Sequence, residues 1–313
     1  MTAVLDPFVL ERAPGPVADL HPALAHLRKS FNGTFDVLGA IPDERLTALW
    51  VWDGNEINVR YAFYRALEIL ESGAAEVARA IGGKESSEAR EAVGATSAAR
   101  WDLQGLLAGL TDSDLDASAG GEWTVRQTMG HIIGGQRGYA WGSAYWISVR
   151  HEPKPEGPRR APDHLFASMP EDDQEATGTL AEVRQKLDDI VDAASSRFAT
   201  LTTDEMDSAG GWYGFPVTVG FRMWRWPSHI EEHTVQVEKT LDLIGHRATE
   251  VERLVRLNAR AMGRLEALVF SRGVEQLDAA GVAAVLDRVA GALRDLAAPV
   301  KSAADAGVPG PPD

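Results

Sequence analysis

Trp224-Arg225-Trp226-Pro227-Ser228-His229-Ile230-Glu231-Glu232-His233 is the stretch on which the reading of this chain turns. His229 and His233 stand four positions apart. Four residues of α-helix turn through about 400°, so both imidazoles share one face roughly a turn apart. Two neutral imidazoles in that arrangement can grip one divalent ion. The same pair also suits the polar surface of an amphipathic helix, and spacing alone leaves both readings open. A third histidine favours the metal. His131 closes the segment Gly121-Glu122-Trp123-Thr124-Val125-Arg126-Gln127-Thr128-Met129-Gly130-His131.

The neighbours of these histidines extend the pattern. Gln236 follows His229 by seven residues, about 700° round, so it returns to the same face. It is a candidate hydrogen-bonder to a ligand or substrate, and equally a polar residue at a helix seam. Glu232 flanks the face and is a candidate proton-transfer carboxylate. Glu231 points away and pairs on paper with Ser228 as a capping box. The helix around His131 is rich in glycine: Gly130, Gly134, Gly135, Gly138 and Gly142. Each costs roughly 0.8–1 kcal/mol relative to alanine inside a helix. Gly134, Gly135 and Gly138 lie on the His131 face, and either admit another helix or leave room for a substrate. Trp123, Trp141, Trp146, Trp212, Trp224 and Trp226 crowd the same region and read as core or pocket walls.

Composition bounds the classes of function. The chain has 313 residues, 44% apolar and 25% charged, with a net charge of −15. That length supports one large domain or two. The acidic balance excludes a general nucleic-acid surface, which needs clustered Lys and Arg. The absence of cysteine excludes disulfides, thiolate ligands and a cysteine nucleophile, and fits a cytoplasmic protein. No basic segment followed by an apolar run opens the chain, and no run of eighteen apolar residues occurs, so neither a signal peptide nor a membrane span is expected.

Along the chain the periodicity is helical throughout. Residues 1–16 read as an irregular arm. Helices are predicted over 18–38, 55–71, 72–81, 95–110, 123–149, 179–200, 223–244, 248–271 and 276–298, with loops at 153–170 and 203–222 and a frayed tail from Gly307. Val217–Phe221 is the single short candidate strand. Domain boundaries are expected at 1–92, 93–246 and 247–313; the last two helices may complete a second bundle with residues 18–82. A faint repeat aligns 41–46 with 110–115 and 55–60 with 121–126, which sets Arg65 where His131 falls. Chance likeness between amphipathic helices explains it as well.

Residues 95–245 resemble the DinB-like superfamily, which includes mycothiol-dependent maleylpyruvate isomerases and bacillithiol transferases. Gly121-Glu122-Trp123-Thr124-Val125-Arg126, then His131, then His229-x-x-x-His233 carry the resemblance. It implies an all-α protein built on a DinB-like four-helix bundle, with additional helices at both ends. It implies a divalent metal held by His131, His229 and His233. The isomerase branch has a glutamate within the later pair, so two histidines look more like the transferase branch. Three imidazoles leave positions open on the ion, as catalytic sites do, and suit Zn or Ni best. Without a carboxylate ligand the site stays positive and favours a thiolate. The resemblance therefore implies a metal-dependent enzyme acting on a small-molecule substrate with a thiol such as mycothiol. Its rival is a non-catalytic metal-binding or interaction scaffold. Arg126, Arg137, Arg222 and Arg225 could meet carboxylates of such a thiol, Arg137 and Arg225 foremost, or pair with the protein's own acids. A homodimer is compatible with a bundle, though no residue argues for it.

Overall fold

A computed structural model describes residues 21–83, 85–118, 120–153, 160–167, 169–273 and 281–311; the expected arm at 1–16 lies outside them. In chain order the elements are α1 (Pro22–Gly39), a single 3-10 turn (Asp43–Arg45), β1 (Leu49–Trp52), β2 (Asn55–Asn58), α2 (Arg60–Ile81), α3 (Glu88–Leu107), α4 (Asp112–Asp116) and α5 (Val125–Ser148). Then come α6 (Asp163–Phe166), α7 (Asp172–Glu175), α8 (Leu180–Phe198), α9 (Thr203–Met206), β3 (Ala209–Trp212), β4 (Phe215–Thr218), α10 (Val219–Leu243), α11 (Glu250–Arg272) and α12 (Val282–Ala306). The fold is all-α, with two antiparallel hairpins as its only sheet among the described residues. No described helix is long and apolar enough to cross a membrane.

The chain divides into two compact units. The first takes residues 86–100 and 110–246, and the second takes 20–85, 101–109 and 247–313, each over its described residues. The end segments, read above as 1–92 and 247–313, thus largely contribute to one unit. In it α1 lies on α12 and α2 on α11. Leu24, Leu27, Phe31, Phe63, Leu70, Met262, Leu265, Leu286, Val289 and Leu293 are buried there. Amphipathic helices that cannot bury a face locally find it in distant sequence. Arg28 meets the fully buried Glu266 through two hydrogen bonds of 2.6 and 2.8 Å. Over residues 307–311 the tail is not frayed: Leu49 N donates to Val308 O, and Gly310 N to Thr47 O at 2.9 Å.

The hairpins correct the helix predictions. Residues 55–58 form β2 and the helix starts at Arg60; the loop predicted at 203–222 contains α9, β3, β4 and the first turn of α10. Helix α10 starts at Val219, four residues before the predicted Met223, because Thr218 Oγ1 accepts the Phe221 amide at 3.1 Å and caps it. Ser228 is accordingly mid-helix, its hydroxyl donating to Trp224 O, and it caps nothing.

The two hairpins also reveal a repeat other than the one read from sequence. Residues 121–124 form no strand, so they do not match 55–58. The match lies 160 positions on: Leu49↔Asn58 and Trp52↔Asn55 correspond to Ala209↔Thr218 and Trp212↔Phe215. Both turns have a non-glycine residue at positive φ, Asp53 at 49° and Tyr213 at 46°, followed by Gly54 at 76° and Gly214 at 84°. That is the conformation of a two-residue hairpin turn that twists with its strands. Both hairpins are held the same way: Arg65 lies over Trp52 at 4.9 Å, and Arg225 over Trp212 at 5.7 Å. In the same register His229 and His233 replace Ile69 and Gly73. Gly73 faces Val289 so closely that an added Cβ would lie 2.6 Å from it, leaving no room for an imidazole.

Candidate metal centre

In the first unit α5 and α10 run antiparallel. Thr240 Oγ1 donates to Trp123 O at 3.0 Å, Gly135 faces His229, Gln136 Nε2 donates to Trp226 O at 3.1 Å, and Gly142 faces Arg222. The helix starts fix this register. Thr124 caps α5 in a reciprocal capping box with Gln127, and Thr218 caps α10. His131 on α5 is thereby brought to His229 and His233 on α10.

One ligand atom from each of the three lies within 4.8 Å of the others, forming a group that could hold a metal ion. His131 Nε2 and His229 Nε2 are 3.4 Å apart. Two nitrogens bound to one tetrahedral zinc at about 2.0–2.1 Å would lie about 3.3–3.4 Å apart. The outer nitrogens agree with this. His131 Nδ1 is 3.0 Å from Asp172 Oδ2, and His233 Nδ1 is 2.7 Å from Gln236 Oε1. Both acceptors draw the ring proton to Nδ1 and leave the Nε2 lone pair free. The residues present therefore fit a divalent ion. His229 is 4% exposed, and its Nδ1 has no partner among the described residues. Burial, and then the fields of His233, His131 and Arg225, push its pKa down to about 3. Burial also lowers His233. Both rings are thus neutral at physiological pH, the state a metal needs.

The glycines of α5 serve side chains rather than a bare helix contact. An added Cβ at Gly135 would sit 2.5 Å from His229 Cε1, and one at Gly142 2.8 Å from Arg222 Nη1. Gly130 and Gly134 face Asp172, through its backbone oxygen and its carboxylate respectively. They let the one-turn helix α7 approach closely enough for Asp172 to reach His131.

Several sequence candidates take other positions than expected. Glu232 is bound to Arg225 through two bonds of 2.6 and 2.9 Å, and that pairing holds its carboxyl below the usual range, so it has no proton to give at neutral pH. Gln236 Oε1 lies 2.7 Å from His233 Nδ1 and orients that ring. Arg137 is committed to the buried Glu175, 2.5 Å from Nε and 3.0 Å from Nη2. Arg225 is balanced by Glu232 and lies over Trp212, as Arg65 lies over Trp52, which makes it a hairpin support. Both candidates are thus ion-paired within the unit. Arg126 pairs with Asp116 at 2.6 Å.

Two residues not singled out above belong here. Asp172 sits in an acidic run, Glu171-Asp172-Asp173, whose only sequence signal is the cap of a four-residue helix. Tyr139 sets its ring edge-on to His229 with centroids 5.3 Å apart, and burial raises its pKa. Trp123, 41% exposed, borders His131 with centroids at 5.1 Å. Asp172→Asn is expected to weaken metal binding about 10–100-fold with little change in folding, because it removes the charge that orients His131. Competition with a chelator of known affinity measures this, and an unchanged constant would remove Asp172 from the site.

Residues 95–237 match the family model of the DinB superfamily. That stretch contains His131, His229 and His233 and is similar to the DinB superfamily. No curated protein and no solved structure matches the chain.

Proposed function

We propose that the first unit is a divalent-metal-dependent enzyme acting on a small molecule, with a low-molecular-weight thiol such as mycothiol as co-substrate. The observation that carries this reading is the arrangement of three imidazoles with two Nε2 atoms 3.4 Å apart and two outer nitrogens held by Asp172 and Gln236. His131, His229 and His233 would hold the ion, Zn or Ni by the softness of the donors. A bound ion would supply Lewis acidity, lowering the pKa of a thiol or water beside it. The chain supplies the rest. Three neutral ligands leave the site's charge positive, which favours an anionic thiolate over a neutral thiol. Burial of His229 fixes one ligand rigidly, while the His131 side chain, 35% exposed, leaves a side open to solvent. Asp172 and Gln236 orient their rings before anything binds, so little reorganisation is needed.

The test is to load the protein with cobalt(II) and add a simple thiol. A new near-ultraviolet absorption from sulfur ligation, lost in His131→Ala, is expected. A cobalt spectrum unmoved by any thiol, with cobalt bound, would favour a metal-binding scaffold instead.

A further inference from the structure

Arg222 is a buried arginine of α10 that the described residues leave without a carboxylate partner. It is 6% exposed. Arg126, Arg137 and Arg225 each meet a carboxylate. Arg222 meets none among the described residues. Its one hydrogen bond there goes from Nη2 to the backbone oxygen of Gly211, and its Nε is buried without a partner. Burial lowers its pKa. Burying a cation without a counter-charge is unfavourable, and breaking a buried pair leaves such a charge uncompensated.

The repeat within the chain says where this cost comes from. The equivalent of Arg222 in the second unit is Ala62, fully buried, so neither the hairpin nor the helix packing requires an arginine there. Ala62, Ile69 and Gly73 on α2 become Arg222, His229 and His233 on α10. The first two of these lie seven residues apart, so Arg222 and His229 share a face with their backbones about 10.5 Å apart along the axis. The opposing glycines, Gly142 and Gly135, have the same spacing and give each side chain its room. Tyr139 lies between these two glycines on α5, its ring on His229 and its hydroxyl hydrogen-bonded with Arg225.

We infer that Arg222 is the recognition group for a carboxylate on the small-molecule ligand, whose other end reaches the histidine cluster. One guanidinium balances one negative charge, so a monoanionic carboxylate suits it better than a phosphate dianion. Five donors in a fixed fork, with one committed to Gly211, leave enough to hold both carboxylate oxygens. The inference rests on the small-molecule reading of the metal centre and adds a chemical class and a length. The ligand spans roughly two helical turns between its metal-seeking end and its carboxylate.

The experiment uses ω-mercaptoalkanoates of three to eight carbons and the matching uncharged mercaptoalkanols. Affinity is measured by calorimetry on zinc-loaded and metal-free protein, for the parent, Arg222→Met and Arg222→Lys. The parent is expected to prefer acid over alcohol at least tenfold at the longer lengths. The preference disappears in Arg222→Met and shrinks in Arg222→Lys, with zinc content unchanged. Equal affinity for acid and alcohol in the parent at every length overturns the inference, as does a preference that survives in Arg222→Met. Should Arg222→Met not fold, the parent's discrimination and its reduction in Arg222→Lys decide the matter, because lysine keeps the charge and loses the fork. A zinc-dependent gain shared by acids and alcohols would uphold the thiol reading while Arg222 fails. An acid preference indifferent to zinc would uphold Arg222 while the thiol reading fails.

Discussion

Alanine at any one of His131, His229 or His233 is expected to strip the protein of its bound metal. Elemental mass spectrometry of the parent should find a single ion of Zn, Ni or a neighbouring metal per chain, and each variant a small residue of it. The size of the effect follows from the donor set. Among the described residues three side chains from two helices form the donor set, and removing an orienting partner alone costs about 10–100-fold. Removing a ligand costs more. The three variants need not fold equally well. His229 is buried against Gly135, so its truncation opens a cavity, whereas His131 and His233 are partly exposed. Equal metal loss with unequal thermal stability is therefore the expected signature. Metal kept by all three variants, or a parent empty even after anaerobic reconstitution, would refute the site.

The metal-free protein should lose stability as pH falls from 6.5 to 4.5. Burial and neighbouring positive charge hold His229 at about 3 in the folded state, against about 6.5 in an unfolded chain. Between those values the unfolded state binds the extra proton. The stability associated with a neutral His229 is fully present above pH 6.5 and is lost as pH falls toward 3. The slope is about 1.4 kcal/mol per pH unit for one proton, or roughly 2–3 kcal/mol by pH 4.5. Burial lowers His233 too, adding in the same direction. The lowered carboxylates, Glu232 and Asp116 among them, contribute only below this window, since their unfolded values lie near 4. Denaturant titrations at successive pH values measure the slope. His229→Gln should flatten it, and a flat parent profile would contradict the burial argument.

How much of this could be read from residues alone depends on how local each signal is. His229 and His233 share a helix, so their spacing suffices. His131 comes from 98 positions away, and what foretells its approach is the Trp123-Thr124-Val125 start of α5 together with the family resemblance. Asp172 is beyond such reasoning: a carboxylate on a four-residue helix gives no periodicity, and its reach depends on Gly130 and Gly134 being bare. The fates of Arg137 and Arg225 were equally hidden, since Glu175 and Glu232 are two among many acids in this chain. The hairpins are a different case. Asp53-Gly54 directly after the tryptophan-rich run Leu49–Trp52 is a legible turn signal. Tyr213-Gly214 is not, and only the matching register of the two shows that one motif occurs twice. Strands of four residues are simply too short for alternation to stand out against the helices around them.

The second unit is assembled from segments that are far apart along the chain: α1 and α2 precede the metal-bearing unit and α11 and α12 follow it. Proteins are made from one end. Roughly 170 residues lie between the end of α2 and the start of α11, so at about 5–20 residues per second α1 and α2 wait some 10–30 seconds for their partners. During that interval the face of α1 that packs on α12 has no partner, while residues 110–246 emerge as one uninterrupted run. Vectorial synthesis thus favours closing the histidine-bearing unit first. It leaves the apolar helix faces of the other unit exposed for longer.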